Sequence, residues 1–205
     1  ALRRALSLVE PVAQVEQVPL EKAYDRVLAQ AVRSGVSLPL FDNSAMDGYA
    51  IRLADLAGKG PWRLTLAGRV AAGDAGDMPI PVGAALRIFT GAAIPPGCDA
   101  VVIQELTRLD GNTVGIRRRP ESGDNIRRAG EDIQKGRTVL QAGTELGPAQ
   151  LGVLASLAVA SPLVYRQPRV AILGSGDEIV DVDQPEEILS GRKTASSNTH
   201  TLLAM

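Results

Sequence analysis

From Ser37 to Arg117, glycine, proline or aspartate returns roughly every 8–12 residues, and only short apolar runs fit between these interruptions. A helix of ordinary length does not survive such punctuation, because interior proline costs about 3 kcal/mol and interior glycine about 1 kcal/mol. The runs at 49–52, 62–70, 85–90, 100–106 and 113–117 have strand length, so the spacing predicts a small antiparallel β domain. Asp110-Gly111-Asn112 supplies residues that tolerate positive φ and predicts a hairpin turn.

The flanking chain has a different texture. Leu2, Leu6, Leu8, Val9 and Val12 recur at helical spacing and predict an amphipathic helix over 1–15, ended or kinked at Pro11. A strand over 15–20, a helical turn over 21–26 and an extended run over 27–32 follow, in a tight β-α-β arrangement. Beyond the β region, 148–158 reads as a helix, with Pro148 in its first turn and Leu151, Leu154 and Leu157 along one face. The likeness of the two flanks predicts an α+β, multidomain chain: a split helical/β-α-β domain (1–38 plus 135–166) carrying an inserted small antiparallel β domain (39–134). Gln167-Pro168 reads as a linker. Arg169 to Leu173 reads as a strand buried on both faces of a parallel sheet. A helix is expected from Thr199 to Met205, with Ser197 or Asn198 as N-cap. One strand and the start of one helix cannot bury a parallel sheet, so 167–205 reads as the truncated start of a parallel α/β domain.

Composition removes several functions. With 22 Lys+Arg, 23 Asp+Glu and a net charge of -1, the chain lacks the basic footprint of a nucleic-acid binder. The runs Arg117-Arg118-Arg119 and Arg127-Arg128 sit beside acids, as solvated surface does. A single cysteine, Cys98, excludes an intrachain disulfide and a cysteine zinc site, and suits a reducing cytoplasm. A single histidine, His200, excludes a His-rich metal site and argues against a Ser-His-Asp triad; both residues are assigned to structure. The apolar stretch 151–164 is too short and interrupted to span a bilayer. Arg3, Arg4 and Glu10 leave no signal-peptide core. Aromatics make up 3%, so the core must come from Leu, Val, Ile and Ala.

Four polar clusters could carry chemistry. Asp42 and Asp47, with Asn43, Ser44 and Gly48, make a loop whose oxygens can converge; a plain Asx turn is the bland reading. Thr90-Gly91, ahead of Pro95-Pro96-Gly97, ends a strand in a hydroxyl suited to an anion, or is a proline-stiffened loop. Arg127 and Arg128 stand beside Glu131 and Asp132, which suits an oxyanion and a divalent cation together, or a self-satisfied ion-pair cluster. Gly174-Ser175-Gly176-Asp177-Glu178 follows a strand, where ligands of open α/β sheets bind, and otherwise is a turn.

In order and content, these clusters resemble the MoeA/gephyrin family of molybdopterin molybdenumtransferases. The resemblance rests on Leu38 through Ala50, on Leu86 through Gly97 with Asp99 to Val102, on Asn125 through Asp132, and on Ser175 through Glu178. Where the family usually has Asp-Ser-Asn or Asp-Thr-Asn, this chain has Ser196-Ser197-Asn198. The resemblance implies a cytoplasmic, elongated homodimer whose active site is shared between subunits, with 167–205 opening the molybdopterin-binding domain. The implied reaction inserts molybdenum from molybdate into adenylylated molybdopterin, with magnesium, and releases AMP. Carried over by motif, Asp47, Thr90, Asp132 and Glu178 are the catalytic candidates, and Asp47, Asp132 and Glu178 the magnesium ligands. Ser175, Asp177, Arg127 and Arg128 are candidates for holding the cofactor precursor. Contact with a molybdopterin adenylyltransferase is a further expected partnership, with no nucleic acid or membrane partner. This portion alone is expected to be inactive. The competing readings are a non-catalytic gephyrin-like scaffold on the same fold, a paralogue using tungstate or a modified pterin, and a plain β-rich interaction module.

Overall fold

The short apolar runs set between the turn formers meet side by side in one six-stranded sheet. A computed structural model of the chain describes residues 3–4 and 7–205. Across the sheet the strands run Ala100–Ile103, Gly48–Ile51, Ala84–Ile88, Trp62–Val70, Thr113–Ile116 and Thr107–Asp110. All four residues of Gly48–Ile51 are buried because both faces of the sheet are covered. Tyr49 and Ile51 face one cluster with Leu56, Leu64, Val102, Val114 and Ile116. Ala50 faces the opposite cluster with Val70, Leu86, Ile88 and Val101. Alternate side chains of one strand thus feed two cores, as the two-residue period of a strand requires.

The five expected strands are present, but the sheet is mixed rather than antiparallel. Trp62–Val70 runs parallel to Ala84–Ile88. The cause lies in 71–83, a connection long enough to carry the chain back to the other end of the sheet before it re-enters, which no tight hairpin can do. The hairpin at Gly111-Asn112 forms as expected and reveals a sixth strand, Thr107–Asp110. Gly111 takes φ 59 at the first central position, which glycine adopts without a Cβ penalty.

The chain divides into two units, one comprising Gln17–Val164 and the other Ala1–Glu16 with Tyr165–Met205. In the first, the segment after Gln17 and the segment before Val164 share a core of Val18, Ala23, Leu28, Leu146, Leu154 and Val164. The expected β-α-β run is looser than its pattern suggested. Its helical piece is one 3-10 turn, Leu20–Lys22, and its extended residues bond to distant chain rather than to each other. Val32–Arg33 pairs with Thr138–Leu140, and Leu28 bridges Val164. The later helix spans Pro148–Ser156 with Pro148 at its start and Leu154 buried. It closes where Ala158 takes φ 57 and the amides of Ala158 and Val159 bond back to the carbonyls of Ala155 and Leu154, a Schellman closure.

In the second unit, Ile179–Val180 pairs in parallel with Thr194–Ala195, with the short helix Pro185–Leu189 between them. The expected strand over 169–173 is absent. Val170 and Leu173 are 76% and 91% exposed, and no described residue offers that segment a hydrogen-bonding ladder. The last helix spans Ser197–Leu203, starting before the expected Thr199, with Ser196 at its N-cap position. Of the expected N-terminal helix, Ala1, Leu2, Ala5 and Leu6 lie outside the described residues, and Val9 to Gln14 have no regular structure. The architecture is α+β with few helices.

Candidate functional site

Three of the four polar clusters converge on a two-residue strand, Asn43–Ser44. Its partner is Ile126–Arg127, with Ile126 opposite Ser44 and Arg127 opposite Asn43. On its other side, the Ser44 amide donates to the Ala92 carbonyl at 2.9 Å, and the Gly91 amide donates to the Ser44 carbonyl at 2.8 Å. Asn43 and Ser44 are buried, and the Ser44 hydroxyl donates to the Met46 carbonyl at 2.6 Å, tightening the turn toward Asp47. Residues 123–125 reach this point by lying along Ala100–Ile103: the Val101 amide donates to the Asp124 carbonyl, and the Asn125 side chain donates to the Val101 carbonyl.

Within this convergence the candidate residues take definite partners. Asp47 Oδ1 accepts from both the amide and the hydroxyl of Thr90, each at 2.8 Å. These two donors, and then the charge of Arg87, hold the Asp47 carboxyl below its usual range, so it is ionised at neutral pH. The Thr90 hydroxyl spends its proton on Asp47 and keeps lone pairs to accept with. The two acids of the first cluster go to different partners. Asp42 accepts from Arg128 Nη1 at 2.6 Å and from the Ala129 amide at 2.8 Å, which lowers its pKa.

Arg127 donates through Nε to Glu131 Oε1 and through Nη2 to Asp132 Oδ2, both at 2.6 Å. Asp132 and then Glu131 push its already high pKa further up. Glu131 also accepts from the Arg128 amide at 2.8 Å, and its carboxyl is held low. The third cluster is therefore an ion-pair network in which Arg127 and Arg128 are each matched by carboxylates. Asp132 lies on the wall of a cleft of about 340 Å³ that also includes Gln134 and Arg137.

The fourth cluster belongs to the other unit. Asp177 and Glu178 are exposed, and the Asp177 carbonyl accepts from the Lys193 side chain. Gly174 and Ser175 line a cleft of about 390 Å³ with Ser196, Asn198 and Thr199. Among the described residues, no three of His, Cys, Asp or Glu stand close enough to hold a metal ion by themselves. Burial pushes the Cys98 thiol up to about 12, which fits its assignment to structure.

Sequence reasoning overlooked Asp42 as a partner of Arg128, and Arg87 as the cation nearest Asp47 in influence. A charge inside the apolar run Leu86–Phe89 was the available signal for Arg87.

Comparison with known proteins points in one direction. The family model described as the MoeA N-terminal region (domain I and II) matches residues 1–158. The molybdopterin molybdenumtransferase of Haemophilus influenzae is 44% identical over 173 residues, covering 84% of this chain and 42% of that protein. Its counterpart from Nostoc sp. is 40% identical over 193 residues, covering 93% of this chain and 44% of that protein. The crystal structure of a molybdopterin biosynthesis MoeA protein from Pyrococcus horikoshii superposes with a TM-score of 0.87 at 33% identity, over 98% of this chain and 55% of that one. The chain thus spans less than half the length of these two curated relatives.

Proposed function

Because the chain belongs to the MoeA family through that N-terminal region, we propose that it supplies part of an enzyme that inserts molybdenum from molybdate into adenylylated molybdopterin and releases AMP. The observation that carries this reading is the convergence on Asn43–Ser44. It places an ionised Asp47, the Thr90 hydroxyl and the Arg127–Asp132 pair on loops held by one short strand.

In this reading 39–134 is a β-rich domain inserted into a split domain of 1–38 and 135–166, and 167–205 opens the molybdopterin-binding domain. The shared core of Val18, Leu28, Leu146 and Val164 supports the split. The working form is a cytoplasmic homodimer that completes the site by setting Glu178, Asp177 and Ser175 of one subunit against the Asp47 side of the other. The proposed contact with a molybdopterin adenylyltransferase would deliver the adenylylated substrate. No described helix is long and apolar enough to cross a membrane.

The donors suit magnesium, which commonly takes one or two carboxylates and completes its shell with water and substrate phosphate. Asp47 is the better-placed ligand here, because the hydrogen bonds it receives from Thr90 fall on Oδ1. Asp132 and Glu178 are its proposed companions. When bound, magnesium would offset phosphate charge as the phosphoanhydride is cleaved. The chain's own contribution is positioning and charge: Asp47 and Asp132 orient water, and Arg127 or Arg128 turns from its carboxylate partner to an incoming oxyanion.

The test is AMP release from adenylylated molybdopterin, with and without molybdate and magnesium, in this chain and in the longer protein carrying it. Release by the longer protein alone, dependent on both ions and lost on replacing Asp132 or Glu178, supports the assignment. No release from a folded, dimeric longer protein would move the function to a scaffold.

A further inference from the structure

Arg87 lies in the strand Ala84–Ile88, opposite Tyr49 in the neighbouring strand. Its guanidinium sits over the Tyr49 ring at 5.1 Å and the Phe89 ring at 5.2 Å from the centroids. It donates through Nη2 to Gln104 Oε1, and through Nη1 to the Gly48 carbonyl at 3.5 Å, the long limit for such a bond. The backbone amide of Gln104 donates to the Asp47 carbonyl at 3.1 Å. The consecutive carbonyls of Asp47 and Gly48 are therefore both held, one through Gln104 and one by Arg87, while Arg87 holds the Gln104 side chain. Three residues further along from Arg87, Thr90 grips the Asp47 carboxylate. A planar, multidentate cation can stack on rings and fork to two acceptors at once, and lysine cannot.

We propose that Arg87 is a positioning residue for Asp47, fixing the Asp47–Gly48 turn so that the carboxylate meets Thr90. Its part in catalysis rests on the function proposed above; its part in holding the turn does not. The simpler alternative is that Arg87 only covers the apolar face beside Tyr49, in which case its loss loosens the sheet and not the turn selectively.

Amide hydrogen exchange separates the two. In Arg87→Met, the Thr90 amide is expected to exchange about tenfold faster or more, while Val114, deep in the sheet, keeps its protection. Gln104→Leu, which removes the acceptor for Arg87 and the Gln104 donation to Glu105 but leaves the Gln104 backbone amide in place, should loosen Thr90 in the same sense by a smaller factor. If Arg87→Met unfolds the chain, selective loosening in Gln104→Leu still supports the proposal. An unchanged Thr90 amide in a folded Arg87→Met overturns it. So does loss of sheet protection in Arg87→Met with no change at Thr90 in Gln104→Leu. In the longer protein, Arg87→Met should lower kcat by about 10²-fold with KM little changed. If the unsubstituted longer protein releases no AMP, the functional reading fails while the exchange result stands.

Discussion

Replacing Gly48 with alanine tests how tightly the sheet constrains the candidate site. A Cβ at this position would stand 2.1 Å from the Val102 carbonyl oxygen, 2.9 Å from its carbon and 3.1 Å from Ile103 Cα. All three are backbone atoms of the adjoining strand, where Gly48 pairs with Ile103, so no side chain can swing aside. Reaching an ordinary contact distance of about 3.5 Å requires the strands to open by about 1.4 Å, against a ladder spacing of about 4.8 Å. That opening would break hydrogen bonds on a strand buried in every residue and disturb packing in both cores. Overpacking typically costs about 1–3 kcal/mol, and a clash with backbone belongs at or above the top of that range. We expect Gly48→Ala to lose about 3 kcal/mol or more, a large share of the roughly 5–15 kcal/mol that holds a domain together. Urea unfolding followed by Trp62 fluorescence measures it, because Trp62 is the sole tryptophan and packs against the first core. A loss below about 1 kcal/mol would show that the strands separate easily and refute this account of the close approach.

Two further expectations follow from local geometry and charge. Ala158 closes its helix at φ 57, where a Cβ costs about 1–2 kcal/mol, so Ala158→Gly should stabilise by about 0.5–1 kcal/mol after the glycine's extra unfolded-state entropy; a destabilised variant in the same urea assay would reject the strain. Asp42, Asp47 and Glu131 have folded pKa values depressed below their ordinary 3.8, 3.8 and 4.5. Their contribution is complete above those values and is lost as pH falls through the lower folded ones. The urea midpoint should therefore decline below about pH 4, with a shallower acid limb in Asp42→Asn; identical acid limbs would show that Asp42 gains nothing from Arg128 and Ala129.

Most of the sheet was legible because Gly48–Ile51, Ala84–Ile88 and Ala100–Ile103 are largely buried, apolar runs and Trp62–Val70 alternates, all set between turn formers. Its parallel pair was not, since direction depends on where the connection at 71–83 travels and nothing local encodes that path. The strand expected over 169–173 failed for a related reason: an apolar run specifies a strand only when a partner is at hand. At the site, the residue types in each cluster were readable, and so was their suitability for anions and cations. The pairing was hidden, because Asp42 with Arg128 and Asp47 with Thr90 are contacts between distant parts of the chain. Arg87 escaped notice because its role comes from the rings and carbonyls that surround it.

The dependence of three loops on Asn43–Ser44 also sets when the site comes into being during folding. A hairpin such as 107–116 closes locally, whereas Ser44 must meet Ile126 and Ala92 across long stretches of chain. Contacts of that span carry the larger loop-closure entropy and slow folding. A nascent or partly folded chain therefore displays the motifs without the assembled Asp47–Thr90 pair. Acquiring that pair becomes a sign that the distant parts of the sheet have found one another.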